Sequence, residues 1–225
     1  MAIPFAAVIF DFDGTLVDSE ATHLRLYQQL AARFGFTLTA AQYTAEFLGQ
    51  TDEAIIGALA ARQGRAADAP AWVALKQRWF FEYLSGGQMA EIPGAGAFVR
   101  RLAAAGVPLG VGTSAIAAEV RQGLAGLGLL PLFRTVVSAD MVAAGKPAPD
   151  IYLRVVGDLG VAPGCCLVFE DSVAGVRAAV NAGILPIGVG RQHPQALLAA
   201  GATRVIPDFR DFHLDQLLET PVRPS

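Results

Sequence analysis

The sequence lacks the features of secreted, membrane-spanning and nucleic-acid-binding proteins. Its only cysteines, Cys165 and Cys166, are adjacent, so an unstrained disulfide between them is not expected and no second pair completes a zinc site. No apolar run reaches the ~18 residues of a spanning helix, and the apolar N-terminal run stops at Asp11 with no basic segment before it, so we expect no signal peptide. The net charge of −3 includes no basic patch, which argues against nucleic acid. We expect a cytoplasmic monomer that binds neither membrane nor nucleic acid.

Lysine is scarce as well. The chain has 15 arginines but only two lysines, Lys76 and Lys146. Lys146 stands between a glycine and a proline in the segment GKPAPD, whose prolines stiffen the backbone. The position is compatible with a solvated loop lysine, or with a site that needs a compact ammonium group rather than the planar fork of arginine.

What is present is a chain of 225 residues with 53% hydrophobic residues, which excludes a disordered protein. Short apolar runs alternate with helical patterns, as in a parallel sheet covered by helices on both faces. The predicted strands are Ala7–Phe10, Val107–Gly112, Thr135–Val137, Cys165–Phe169 and Leu185–Val189, and the predicted helices between them are Ala95–Ala105, Ala115–Gly126, Asp150–Leu159 and Ser172–Ala182.

One long segment interrupts this alternation after the first strand. It contains only helical patterns, predicted at Glu20–Phe34, Ala40–Leu48, Asp52–Gln63 and Ala69–Leu84. The segment ends at Ser85-Gly86-Gly87, a predicted flexible return. The sequence therefore predicts an α/β fold: a Rossmann-like parallel sheet, residues 1–17 and 88–225, with an all-helical cap domain inserted at residues 18–87.

Two carboxylates follow the first predicted strand in the stretch AAVIFDFDGTLVDSE, residues 6–20. Asp11 and Asp13 point the same way because strand side chains alternate with period two. Like charges this close disfavour each other's ionisation unless a cation or proton lies between them. Gly14 permits a tight turn here, and Thr15 adds a hydroxyl group.

Polar residues also follow two other predicted strands. Thr113 and Ser114 come after one strand and could bind an anion or simply cap a helix. Glu170 and Asp171 come after another and are costly to bury without a partner, although Asp171 could also be a simple helix cap. Ser172 is a candidate cap for the helix that follows.

The strand ends together predict a metal site. In parallel sheets the ligand crevice lies at the carboxyl ends of the strands, which would gather Asp11, Asp13, Glu170 and Asp171 around the single charge of Lys146. A site this negative favours a hard dication with oxygen ligands, and Mg²⁺ fits best.

These residues make the sequence similar to the haloacid dehalogenase superfamily. DFDGT at 11–15, Thr113, the lysine of KPAPD at 146 and FEDS at 169–172 match its four motifs in order. The resemblance runs from Ala6 to about Gly190 and includes the helical cap. It implies the subfamily of phosphatases and β-phosphoglucomutase-like enzymes.

The resemblance also implies roles for the four motifs. Asp11 would be the nucleophile that forms an aspartyl-phosphate, and Asp13 the general acid and base. Thr113 and Lys146 would hold the transferring phosphoryl group, with Ser114 beside them. Family dehalogenases lack the second acidic residue of the first motif, so Asp13 favours phosphoryl transfer.

Further ligands follow from the same resemblance. Mg²⁺ would be bound by Asp11, the Asp13 carbonyl and Asp171, with Glu170 among the ligands or beside them. Gly14 and Thr15 would contact the phosphate.

Substrate choice in the family belongs to the cap. Ser19 and His23 match cap-side positions shared with the mutase, and Glu20 is either a substrate contact or a first-turn helix acid. The mutase binds a second phosphate with a cap arginine. An ungapped match places Asp52 of this sequence at the position of that arginine. A carboxylate would repel that phosphate, although Arg62 or Arg78 could substitute.

These features predict a Mg²⁺-dependent phosphatase of a small phosphorylated metabolite, most simply a sugar phosphate. The alternative is a β-phosphoglucomutase-like phosphosugar mutase. Outside the motifs, Lys76 is predicted to be a solvated cap residue, and His193 and His213 are predicted at the surface. The aromatic residues Trp72, Trp79, Phe80 and Phe81 are predicted to form cap core rather than a binding platform.

Overall fold

A six-stranded parallel sheet forms the centre of the protein. The computed structural model describes residues 5–47, 52–86, 89–190 and 193–217. The strand order is β3-β2-β1-β4-β5-β6, which confirms the predicted α/β fold. The strands are β1 (Ala7–Phe10), β2 (Leu109–Gly112), β3 (Thr135–Val137), β4 (Cys166–Glu170), β5 (Leu185–Val189) and β6 (Val205–Ile206).

The first strand lies in the middle of the sheet and sets the register of the site. Val8 lies beside Leu109 on one side and Leu167 on the other, and Phe10 lies beside Val111 and Phe169. Because these three strands run in parallel and in line, the residues that follow them meet at one edge of the sheet.

Both faces of the sheet are buried, as the continuous apolar strands predict. On one face Phe10 stacks on Phe169, with ring centroids 5.2 Å apart. On the other face Ile9 packs in a second apolar cluster with Val155 and Ala179. The core helices are α5 (Ala95–Ala104), α6 (Ala117–Gly126), α7 (Asp150–Leu159), α8 (Val173–Asn181) and α9 (Pro194–Ala200).

Four helices follow β1 and have an apolar core of their own. They are α1 (Ser19–Arg33), α2 (Ala40–Glu46), α3 (Asp52–Arg62) and α4 (Ala69–Ser85). Asp18 begins α1 by accepting a hydrogen bond from the Ala21 amide at 2.9 Å. Trp72 is buried in this second core and stacks on Phe34 at 4.0 Å between ring centroids. The helical insertion is therefore confirmed, and Trp72 is cap core as predicted.

The sequence reading missed two short elements, β6 and α9. β6 has only two residues and α9 only seven, so neither is long enough to give a clear periodic signal. The predicted start of α6 at Ala115 was also wrong, because Ala115 donates its amide hydrogen to Thr113 Oγ1 at 3.0 Å in a turn before the helix.

Other predicted ends of elements also differ from those in the structure, for local reasons. Ser85, predicted in a flexible return, is still helical and donates its hydroxyl hydrogen to the Phe81 carbonyl at 2.7 Å. The predicted end of α2 at Leu48 and the last residue of the return, Gly87, lie outside the described residues. Among the helices that the structure describes, none combines the length and apolarity needed to cross a membrane.

Candidate active site

Lys146 and Asp11 form the centre of the site at the carboxyl edge of the sheet. Asp11 follows β1 and donates its amide hydrogen to the Phe169 carbonyl at 3.0 Å, which fixes its backbone beside β4. The Lys146 ammonium nitrogen lies 2.6 Å from Asp11 Oδ1 and 2.6 Å from Glu170 Oε1. The lysine side chain is 4% exposed, so the interpretation as a solvated loop lysine is wrong.

Glu170 is held in place by its own strand-to-helix junction. It is fully buried, and its Oε2 accepts hydrogen bonds from the Ser172 amide at 2.8 Å and hydroxyl at 3.0 Å. Ser172 also caps α8, because its Oγ accepts from the Gly175 amide at 3.0 Å. A Cβ at Gly175 would lie 1.6 Å from Glu170 Oε1, so only glycine leaves room for this carboxylate.

Three carboxylates converge beside the lysine. Oxygen atoms of Asp11, Glu170 and Asp171 all lie within 4.8 Å of one another. Burial raises the pKa of Asp11 well above its usual value despite the nearby Lys146. Burial, followed by the charge of Glu170, raises the pKa of Asp171 to about 7. A bound dication would neutralise negative charge that is concentrated in this way.

The donor set therefore fits the predicted metal. Three carboxylate groups offer the hard oxygen ligands that Mg²⁺ prefers. Gly14 leaves space for one of these carboxylates, because a Cβ at this position would lie 2.0 Å from Asp171 Oδ2. Its φ of +72° also suits glycine. Asp13 contributes no side-chain oxygen to this cluster, and the predicted ligation by its carbonyl stays a prediction.

Asp13 faces a cavity instead. Burial raises its pKa, and a hydrogen bond with Ser19 opposes that rise. The cavity has a volume of about 570 Å³ and lies between α1, α3 and α4 on one side and the first turn of α6 on the other. Its walls are formed by Asp13, Ser19, Glu20, His23, Tyr27, Tyr43, Asp52, Lys76, Gln77, Phe80, Phe81, Ser114, Ala115, Ile116 and Glu119.

The cavity brings together several residues that the sequence predicted. Ser19, Glu20, His23 and Ser114 line it together with Asp13. Asp11, Gly14, Thr15 and Thr113 are not among the lining residues. Thr15 and Thr113 are buried, at 0% and 1% exposure, and the Thr15 hydroxyl has no hydrogen-bond partner within the described part of the chain.

Lys76 is the clearest error of the sequence reading. It was predicted to be solvated, but it is 1% exposed. Its ammonium nitrogen lies 2.6 Å from Asp52 Oδ1 and 2.6 Å from His23 Nδ1. Burial lowers the pKa of Lys76, and Asp52 opposes the change. The sequence could not reveal this, because the three residues lie on α4, α3 and α1.

Two further cap predictions need correction. Neither Arg62 nor Arg78, the proposed substitutes for a phosphate-gripping arginine, lines the cavity. Arg62 instead pairs with Glu46 at 2.5 Å and its side chain is 52% exposed. Phe80 and Phe81 were predicted to form cap core, but they pack in the apolar cluster of the sheet and form part of the cavity wall. His193 and His213 are exposed, as predicted.

Sequence reasoning missed four polar residues of the cavity: Tyr27, Tyr43, Gln77 and Glu119. Tyr27 donates its hydroxyl hydrogen to Asp52 Oδ1 at 2.5 Å, and Tyr43 donates to Glu20 Oε1. Glu119 lies in the first turn of α6. Each is an ordinary helix residue in the sequence, and an acid in a first turn was the only available signal.

The fold and the site define a class of protein. The protein has a Rossmann-like parallel sheet with a helical insertion after its first strand. A lysine and several carboxylates lie at the carboxyl edge of the sheet. This is the arrangement of an α/β enzyme whose site lies between core and cap. The chain belongs to the haloacid dehalogenase-like hydrolases, a family that matches residues 8–189. The predicted family is thereby confirmed.

Comparisons with individual proteins agree with this assignment. The chain is 33% identical to the phosphorylated carbohydrates phosphatase of Thermotoga maritima over 89% of this chain and 93% of that protein. The structure resembles that of a haloacid dehalogenase family hydrolase from Deinococcus radiodurans with bound phosphate and sodium, with a TM-score of 0.80, 28% identity and full coverage of both chains. It also resembles CbbY from Rhodobacter sphaeroides in complex with xylulose-(1,5)-bisphosphate, with a TM-score of 0.68, 26% identity and coverage of 92% and 96%.

Proposed function

We propose that this protein is a phosphatase that hydrolyses a small phosphate monoester, most simply a sugar phosphate. The observation that carries the proposal is the position of the first motif. Asp11 is paired with Lys146 at 2.6 Å, and Asp13, two residues later, faces a cavity of about 570 Å³. The relative that acts on phosphorylated carbohydrates supports the substrate class.

The chemistry assigns a separate task to each acid. An Asp11 carboxylate oxygen attacks phosphorus, and the bond to the leaving alcohol breaks as the aspartyl-phosphate forms. Asp13 gives its proton to the leaving oxygen and then removes a proton from the water that cleaves the aspartyl-phosphate, which releases inorganic phosphate and regenerates Asp11. The raised pKa of Asp13 suits this task, since burial favours the protonated acid.

The cluster of Asp11, Glu170 and Asp171 is proposed to hold Mg²⁺. When bound, the ion would neutralise the charge of the phosphate and of the surrounding carboxylates. Lys146 donates to the Asp11 and Glu170 carboxylates and holds them in position. Thr113 and Ser114 are proposed to bind the transferring phosphoryl group.

The test is phosphate release from a panel of phosphate esters in the presence of Mg²⁺, with wild type and Asp11→Asn. An amide cannot form the acyl-phosphate, so the variant should have no turnover above background while keeping its fold. Asp158→Asn, a partly exposed carboxylate on α7, is the control and should behave like wild type. Phosphate release by Asp11→Asn at a rate near that of wild type would refute the covalent mechanism.

A second assay separates hydrolysis from the mutase reaction. With β-glucose 1-phosphate as substrate, a phosphatase releases free phosphate, whereas a mutase forms glucose 6-phosphate. We expect free phosphate to be the main product.

A further inference from the structure

The cavity wall beyond the catalytic end is rich in carboxylates. Three of them, Glu20, Asp52 and Glu119, line the cavity in addition to Asp13. Lys76 is the one lysine or arginine among the described lining residues. Counted over the described residues, the wall that would face the rest of the substrate is therefore net negative.

Lys76 offsets only one of these negative charges, and its ammonium group is already engaged. It donates to Asp52 Oδ1 and to His23 Nδ1, both at 2.6 Å. It also lies over the rings of Tyr27 and Phe80, 4.9 and 5.3 Å from their centroids. A second phosphate would have to displace Asp52 to reach this cation, and the displaced carboxylate would remain next to it.

Several of the remaining polar groups of the wall offer acceptors. The Tyr27 and Tyr43 hydroxyl hydrogens are donated to Asp52 and Glu20. The Glu119 carboxylate has no hydrogen bond or ion pair with a residue that the structure describes. His23 accepts from Lys76 at Nδ1, so its ring is neutral with the hydrogen on Nε2. Acceptors in this number suit a ligand that supplies hydroxyl hydrogens.

We infer that this wall makes the enzyme selective for phosphate monoesters whose remaining part is uncharged and polyhydroxylated, and that Asp52 and Glu119 are the residues that reject a second anionic group. The inference rests on the proposed phosphatase function. It separates neutral sugar or polyol monophosphates from bisphosphates and from phosphorylated carboxylic acids. Like-charge repulsion across a few ångströms in a partly buried cavity is large enough to set this preference.

The test uses two substrates that differ at one carbon. Sorbitol 6-phosphate and 6-phosphogluconate are open chains of equal length, and the second has a carboxylate where the first has a hydroxymethyl group. For wild type we expect kcat/KM to be at least about tenfold higher for sorbitol 6-phosphate. Glucose 6-phosphate and glucose 1,6-bisphosphate form a second pair, with the same preference for the monophosphate.

Charge-neutral variants assign the effect to residues. Glu119→Gln and Asp52→Asn should each reduce the preference several-fold, mainly by raising kcat/KM for the anionic ester. Asp52→Asn should act more strongly, because it also frees Lys76. Glu53→Gln removes a carboxylate next to Asp52 that is exposed and does not line the cavity, so it should leave the preference unchanged.

The outcomes separate this inference from the function on which it rests. If wild type hydrolyses none of the four esters or any other member of the ester panel, the proposed function fails and the inference with it. If it hydrolyses the neutral and anionic esters equally well, or prefers the anionic ones, the inference fails and the phosphatase stands. A preference that neither Glu119→Gln nor Asp52→Asn changes would also overturn the assignment.

Discussion

The two lysines of this chain are both buried, and each lies between groups that accept its hydrogen bonds. Lys146 contacts Asp11 and Glu170, and Lys76 contacts Asp52 and His23. The scarcity of lysine in an arginine-rich chain pointed to a special role for Lys146 but not for Lys76. The same physical reason applies to both, because a compact ammonium fits between two acceptors where a planar guanidinium does not.

Lys146→Arg should therefore be far from conservative. A guanidinium group cannot lie 2.6 Å from both Asp11 and Glu170 without moving one of these carboxylates. We expect kcat/KM to fall by about 10²-fold or more, similar to the loss of an electrostatic donor at a preorganised site. Steady-state kinetics with the best ester of the panel measures this.

The matched control is Arg154→Lys, which exchanges the same two residue types at an exposed position on α7. It should keep wild-type kinetics. Equal activity of both variants would mean that Lys146 does not act as a compact point charge.

At the scale of single elements, the junction between β4 and α8 explains how a carboxylate is buried at a strand end. Glu170 accepts from Ser172, which in turn caps the helix, and Gly175 in the first turn leaves space for the Glu170 side chain. Position 175 of the helix is therefore occupied by glycine rather than by a residue of higher helix propensity, because glycine leaves space for the Glu170 side chain.

Gly175→Ala tests this arrangement. In a helix interior, alanine is more stable than glycine by about 1 kcal/mol. At position 175, however, the alanine Cβ would lie 1.6 Å from Glu170 Oε1. We expect a net destabilisation of about 1–3 kcal/mol and a loss of activity, measured by urea unfolding and kinetics. Gly157→Ala in α7, whose Cβ would meet nothing within 4 Å, should instead stabilise by roughly 0.5–1 kcal/mol. A stabilised and active Gly175→Ala variant would contradict the steric argument.

The packing of α1 against α4 should make stability depend on pH through His23. Its ring stacks on Phe80 at 4.6 Å between centroids, and burial, together with Lys76, lowers its pKa from 6.5 to about 4. The unfolded chain binds a proton at His23 more readily than the folded chain does. The contribution of the neutral His23 ring to the free energy of unfolding is therefore complete above pH 6.5 and is lost as the pH falls towards 4.

Between pH 7.5 and 5, wild type should lose up to about 2 kcal/mol more stability than His23→Gln, whose amide can still accept from Lys76. Denaturant unfolding at the two pH values measures the difference. His213→Gln, at an exposed histidine, should follow wild type. A His23→Gln variant with the pH dependence of wild type would show that His23 titrates normally.

At the scale of the whole molecule, the sheet and the helical insertion both contribute residues to the candidate site. The sheet supplies Asp11, Lys146 and the acidic cluster, and the helical insertion supplies most of the cavity wall. The division into residues 1–17 with 88–225 and residues 18–87 stays a prediction, as do the cytoplasmic location and the monomeric state.

Mg²⁺ should stabilise the whole protein if the acidic cluster binds it. A ligand at about 100 times its Kd adds ~2.7 kcal/mol, which raises the Tm of a chain of this size by several degrees. Thermal unfolding with 10 mM Mg²⁺ and with EDTA measures the shift.

Asp171→Asn removes one carboxylate of the cluster. The metal-free variant should be more stable than metal-free wild type, because a buried acid with a raised pKa is gone, and Mg²⁺ should no longer shift its Tm. Equal Tm values for wild type with Mg²⁺ and with EDTA would count against a metal at this site.

The sequence by itself determined the parallel sheet, the helical insertion and the residues at the strand ends. It could do so because strand and helix periodicities are local, and because the four motifs follow strands whose ends must meet at one edge. Only the tertiary structure decided the environment of Lys76, the exclusion of Arg62 and Arg78 from the cavity and the position of Glu119. These depend on how α1, α3, α4 and α6 pack together, and side-chain burial between helices distant in sequence leaves no local pattern to read.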